Sequence, residues 1–127
     1  MKSPIMPNAF TVARSEQDGV VVLALDGYLD AHTAPQFERA IQDEHTAGRN
    51  QIAVDCQNLT YISSAGLGVF MSFIEEIRAA GGDIKLAGIV PKVYQVFEVL
   101  GFPALFDIVD SVDTARQHFA DGIRPPE

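Results

Sequence analysis

Apolar positions along the chain follow two rhythms, a spacing of two that suits a strand and a spacing of three to four that suits a helix. Phe10, Val12 and Arg14 alternate in the manner of an edge strand, and Asp18-Gly19 signals a turn. The six consecutive apolar residues from Val20 to Leu25 therefore fold back as the second arm of a hairpin, buried on both faces. That strand is predicted to end at Asp26-Gly27. A helix follows: Thr33-x-x-Gln36 has capping-box spacing, Pro35 suits a first turn, Ala34, Phe37 and Ile41 share a face, and Gly48 ends it. Gln51 to Asp55 is a short apolar run bounded by polar residues, the pattern of a buried strand. From Leu67 the helical rhythm returns with Phe70, Ile74 and Ile77, closed by Ala80-Gly81-Gly82.

The remainder repeats this scheme. Ile84 and Leu86 alternate with polar neighbours as a fourth strand, and Pro91 opens a helix whose stripe is Val93, Val96, Phe97 and Leu100, stopped at Gly101. Ala104 to Val109 is expected to form a short last strand. Ser111 then caps a terminal helix with Val112, Ala115 and Phe119 inward, and Gly122 to Glu127 is expected to be a loose tail. Alternating strands and helices after a hairpin imply a small, mostly parallel mixed sheet with about four helices, an α/β sandwich.

The 127 residues fit one domain, with an ordered core expected over about 9–120. Hydrophobic residues make up 47% and charged residues 20%, the balance of a folded globular chain. Acidic residues outnumber basic ones 17 to 9, a net charge of −8 that argues against a nucleic-acid partner. Residues 1 to 8 lack the apolar core of a signal peptide and no later run approaches a membrane span, so a cytoplasmic protein without membrane insertion is expected. The single cysteine, Cys56, follows an apolar strand and is expected to be a partly buried thiol with no redox role.

Chemistry concentrates at Tyr61-Ile62-Ser63-Ser64-Ala65-Gly66, a strand-to-helix crossing with two hydroxyls where the helix begins. A helix start carries unpaired N–H groups and a partial positive charge, so a serine there can carry a phosphate without unfolding the helix. On spacing alone the plainer reading of a single serine at such a place is an N-cap. A nucleophile elbow is missing its first glycine, because Ile62 stands there, and only His32, His45 and His118 could act as a base. The histidines and Cys56 lack zinc-ligand spacing. Gly66-Leu67-Gly68 lacks the third glycine of a dinucleotide loop, having Phe70 and Met71 in that region. No catalytic residue, metal or cofactor is predicted. Phe70, Met71 and Phe73 read as core, while Val69, at the side of the stripe, together with Gly68 and Ser72 is expected to form an exposed docking edge.

Asp55-x-x-x-Leu59-x-Tyr61-Ile62-Ser63-Ser64-Ala65-Gly66-Leu67-Gly68 resembles the signature of STAS domains, particularly of bacterial anti-sigma factor antagonists. Gly27-Tyr28-Leu29-Asp30-Ala31-His32-Thr33-Ala34 is similar to a second motif of that family, and the resemblance extends from about Val20 to Phe119. It implies a small mixed sheet with helices mainly on one face. It also implies phosphorylation of Ser64, the serine two residues before Gly66, beside a loop holding Asp30. By the residues alone, Asp30 is a turn or near-cap residue. The family's acidic residue before the acceptor is replaced here by Ser63, and Ala65 follows where a second serine is common, so Ser63 remains a second candidate acceptor.

The implied function is that of a non-enzymatic module that binds an anti-sigma serine kinase of histidine-kinase-like ATPase fold and releases a sigma factor. Phosphorylation would switch it off and a PP2C-type phosphatase would reset it. The implied contact residues are Asp30, His32, Thr33, Ser63, Ser64, Gly66, Gly68, Val69 and Ser72. The alternative is a STAS subunit of a lipid-transport ABC system or a sensory assembly, docked constitutively; the lipid-transport subunits usually carry threonine where Ser64 stands.

Overall fold

A computed structural model describes residues 9–125. The elements are β1 (Thr11–Gln17), β2 (Val20–Leu29), α1 (Ala34–Thr46), β3 (Gln51–Ile62), α2 (Ser64–Ala79), β4 (Asp83–Ala87), α3 (Pro91–Val99), α4 (Phe102–Leu105), β5 (Asp107–Val109) and α5 (Val112–Asp121). The predicted signal-free leader, residues 1–8, lies outside the described residues.

One five-stranded sheet runs in the order β1-β2-β3-β4-β5. The hairpin pair β1–β2 is antiparallel and every later pair is parallel. Because each crossover steps to the next strand in the same direction and is right-handed, α1, α2 and α3 are carried to one face. There they enclose the main core, in which the Phe70 ring meets Phe37 at 5.1 Å, Phe97 at 5.9 Å and Phe106 at 6.0 Å. The helix α5 crosses the other face over a smaller cluster of Val20, Val22, Ala53, Ala87 and Ala115. The long apolar run of β2 follows from this double cover.

Several boundaries move. Both β2 and β3 continue well past Leu25 and Asp55, to Leu29 and Ile62, because their inward positions Leu29, Leu59 and Ile62 are still buried while the outward ones are polar or aromatic. Phe102–Leu105 is a helical turn, which leaves only Asp107–Val109 for the last strand. Leu100 is exposed, as α3 ends one residue before it.

The polar residues that alternate with Ile84 and Leu86 on β4 are buried as well: Lys85 is 1% and Asp83 2% exposed. A buried ammonium is tolerable only when paired and hydrogen-bonded. The Lys85 Nζ donates to Asp83 Oδ2 at 3.1 Å and to the Ile123 carbonyl at 2.6 Å, pairs with Asp107 at 3.1 Å, and sits 4.8 Å from the Phe119 ring centre. The tail expected to be loose is therefore fastened through residue 124: Arg124 also donates to the carbonyl of Gly82. Pro126 and Glu127 lie outside the described residues.

Candidate functional site

The carboxyl ends of β2 and β3 leave the sheet side by side. Their register pairs Tyr28 with Tyr61 and Leu29 with Ile62, and the Ser63 N–H donates to the Leu29 carbonyl at 2.9 Å. From this shared edge β2 exits into the Asp30–Thr33 loop and β3 passes directly into α2. The structure thus brings Asp30, His32, Thr33, Ser63, Ser64 and Gly66 to one end of the molecule.

Ser63 keeps extended backbone angles and occupies the N-cap position, with Ser64 the first helical residue. The first backbone bond of the helix runs from the Leu67 N–H to the Ser63 carbonyl at 3.0 Å. Ser63 supplies no side-chain cap; its Oγ is buried and, among the described residues, has no hydrogen-bond partner. The opening N–H groups of α2 consequently lack a side-chain acceptor from the N-cap. Ser64 is exposed at that same turn. The two adjacent hydroxyls, indistinguishable by residue type, are separated by the structure: one faces inward and the other outward.

Gly66 explains how tightly the helix start is set against β2. A Cβ at this position would fall 2.7 Å from Leu29 Cγ, 2.9 Å from an Ile62 side-chain carbon and 3.0 Å from the Leu29 carbonyl oxygen. Only hydrogen fits such an approach.

The predicted docking edge on α2 is partly corrected. Gly68 and Ser72 are exposed, and the Ser72 Oγ donates to the Val69 carbonyl of its own helix at 2.9 Å. Val69 is buried, 5% exposed, because α2 packs on α1 as well as on the sheet and its buried arc is wider than the four-residue stripe. Met71, expected in the core, is 45% exposed just beyond that arc, while Phe70 and Phe73 are buried.

Asp30 closes its own loop. One carboxylate oxygen accepts the N–H of His32 at 2.9 Å and of Thr33 at 3.2 Å, and the Asp30 carbonyl accepts the Ala34 N–H at 2.8 Å. Thr33 Oγ1 accepts the Asp30 N–H at 2.9 Å and donates to the Tyr28 carbonyl at 2.8 Å. The capping box predicted for Thr33 and Gln36 does not form: the threonine hydroxyl turns back into the loop, and the Gln36 amide reaches the Phe10 carbonyl at 3.3 Å. Asp30 satisfies the loop instead. His32 is exposed.

The other histidines are engaged away from this edge, His45 with Asn50 and Glu76, and His118 with Asp107 at 2.7 Å. Cys56 is fully rather than partly buried, and burial, with the nearby Asp55 charge, pushes its thiol far above the ordinary range. Among the described residues no cluster of three metal-ligating side chains occurs, and no helix is long and apolar enough to cross a membrane.

Sequence reasoning passed over Tyr28 and Tyr61. Their rings lie 5.4 Å apart at the paired ends of β2 and β3, 37% and 47% exposed. The available signal was that each stands at the same strand end, two residues before Asp30 and three before Ser64.

The STAS domain model matches residues 11–115. The chain belongs to the STAS domain family. BtrV of Bordetella bronchiseptica, which carries the name of an anti-sigma factor antagonist, is 31% identical over 102 residues, covering 80% of this chain and 88% of that protein. Among solved structures, a Thermotoga maritima protein described in the same terms superposes with a TM-score of 0.80 at 25% identity, covering 84% of this chain and 92% of that chain. The phosphorylated form of the Bacillus cell fate determinant SpoIIAA has the same fold, with a TM-score of 0.67 at 23% identity over 87% of this chain and 99% of that one. The STAS fold expected from the two motifs is therefore the fold present.

Proposed function

We propose that this STAS domain is an anti-sigma factor antagonist, a binding module rather than an enzyme, and that phosphorylation of Ser64 switches its binding off. The observation that carries the proposal is the division of labour at the start of α2. Ser64 is exposed on the first turn, whereas the Ser63 hydroxyl is buried and leaves the opening N–H groups uncapped. A phosphate on Ser64 would add about −1.5 to −2 charges beside those N–H groups and the positive end of the helix dipole, where the fold tolerates an anion. A partner docked on the same edge would have to desolvate that charge. The name of BtrV and the existence of a phosphorylated protein of this fold, SpoIIAA, support the same reading.

In this account the partner is a cytoplasmic anti-sigma serine kinase of histidine-kinase-like ATPase fold, and a PP2C-type phosphatase resets the switch. Asp30, His32, Thr33, Gly68 and Ser72 frame the contact, and Gly66 sets the height of Ser64 above the sheet. Val69 has no direct contact role, since it is buried. The test is a pull-down from the native host followed by addition of Mg-ATP. Recovery of such an ATPase, its release by ATP and one phosphate on Ser64 are expected. Recovery of a permease and its ATPase, with no phosphate on the chain, would replace this reading with constitutive docking in a transport complex.

A further inference from the structure

The second face of the sheet is half covered. Among the described residues α5 is the helix on this face, lying over Val20, Val22 and Ala53, near the starts of β2 and β3, and over Ala87 at the end of the shorter β4. Toward the ends of β2 and β3 the face continues uncovered. The alternation of β2 around buried Leu25 and Leu29 turns Asp26 and Tyr28 outward, and that of β3 around Val54 and Cys56 turns out Asp55 and Gln57; Tyr61 joins them against Tyr28.

Two features sit at the ends of this strip. One is the exposed tyrosine pair. The other is an open hollow of about 460 Å³ between β3 and the start of α5, bordered by Asp55, Gln57, Asp110 and Asp113. Asp113 is neutralised by Arg116 at 2.9 Å. Asp26, Asp55 and Asp110 form no ion pair among the described residues; Asp55 accepts only the local N–H of Gln57 at 3.0 Å.

We propose that the strip from the Tyr28–Tyr61 pair to the hollow beside Asp55 and Asp110 binds an extended, arginine-bearing segment of another protein. Aromatic faces attract cations, most of all the planar guanidinium, and unpaired carboxylates accept its paired N–H groups. An acidic segment is repelled. A second copy of this chain, with its net charge of −8, would set carboxylates against carboxylates. From Asp55 to Tyr61 the strand spans roughly 20 Å at about 3.3 Å per residue, the reach of a short extended peptide. This surface lies on the sheet face opposite the one on which α2 packs, and its tyrosine end approaches the strand end that leads to Ser64.

The test is a nuclear magnetic resonance titration of the full chain with the peptide acetyl-Arg-Gly-Arg-Gly-Arg-amide at physiological ionic strength, repeated with lysine in place of arginine. Shifts should concentrate on Asp26, Tyr28, Asp55 and Tyr61, and the lysine peptide should bind about threefold more weakly. The double variant Tyr28→Ala/Tyr61→Ala should lose about fivefold in affinity for the arginine peptide and little for the lysine peptide. Shifts scattered over the acidic residues of α1 and α5, or equal affinity for both peptides on the wild-type chain, would reduce the effect to general attraction of polycations and overturn the proposal. The peptide comparison on wild-type protein decides the matter even where the double variant folds poorly. Because no kinase is present, the outcome is independent of the Ser64 switch.

Discussion

At the scale of single residues, the two neighbouring hydroxyls are opposites. Among the described residues the Ser63 Oγ has given up water without gaining a partner, a loss of about 1–3 kcal/mol for a buried hydroxyl. Ser63→Ala removes that liability, so the variant is expected to melt at the same temperature as wild type or higher, and to accept phosphate at Ser64 nearly as well. Calorimetry and phosphopeptide mapping check both halves; phosphate found on Ser63 in the wild-type chain would reverse the assignment. Asp30 combines a local role with an expected contact role. Asp30→Asn keeps a side-chain oxygen to accept the N–H groups of His32 and Thr33, so its melting temperature should change little. Loss of the charge should nevertheless weaken kinase binding or phosphorylation. Unfolding of the variant, rather than weaker binding, would leave Asp30 as a loop-closing residue and nothing more.

At the scale of elements, the placement of α2 on the end of β2 depends on Gly66. Gly66→Ala drives a methyl group into the Leu29 side chain and against its carbonyl oxygen, and overpacking of this kind costs about 1–3 kcal/mol. Thermal unfolding should show the loss, and phosphorylation should slow as the helix start lifts from the Asp30 loop; a variant as stable and as readily phosphorylated as wild type would show that close approach is not needed.

The same elements show what the sequence could and could not convey. The stripe Leu67, Phe70, Ile74 and Ile77 and the run Val20 to Leu25 predicted their elements because their periodicity matches one buried arc or one doubly covered strand. The far ends of β2 and β3 were missed because that half of the sheet is covered on one side only, so Asp26, Thr60 and Tyr61 resemble loop residues. Burial of Val69 depends on the α1–α2 contact, and burial of Lys85 on the approach of α5 and the Ile123 carbonyl, partners far apart in the chain. The Ser63–Ser64 pair named the site, but only the direction of each hydroxyl distinguishes them.

At the scale of the whole molecule, the fold and the switch are held by different groups. The first arm of the hairpin is tied to α1 by Glu44, which accepts from Arg14 at 2.8 Å and from Arg49 at 2.7 Å. Hydrogen bonding from Arg14, ahead of that from Arg49, outweighs burial and holds the Glu44 carboxyl below its usual 4.5. A carboxylate whose folded pKa is depressed contributes stability above its unfolded value and loses it as pH falls through the folded one. The melting temperature should thus decline from about pH 4.5 downward, and Glu44→Gln should flatten that part of the profile; an unchanged acid limb would remove Glu44 from the account.

None of these supports lies at Ser64, which leaves the helix start free to change charge on an intact scaffold. Ser64→Asp places a carboxylate beside the uncapped N–H groups of α2, an arrangement worth about 0.3–1 kcal/mol to the helix. The direct measurement is therefore the affinity of Ser64→Asp for the recovered kinase, titrated against wild type with the melting temperatures of both as the control. An affinity lower by about a hundredfold, with melting unchanged or slightly raised, is the predicted result. Binding as tight as wild type, or a variant that melts far earlier, would contradict a surface switch carried by a stable fold.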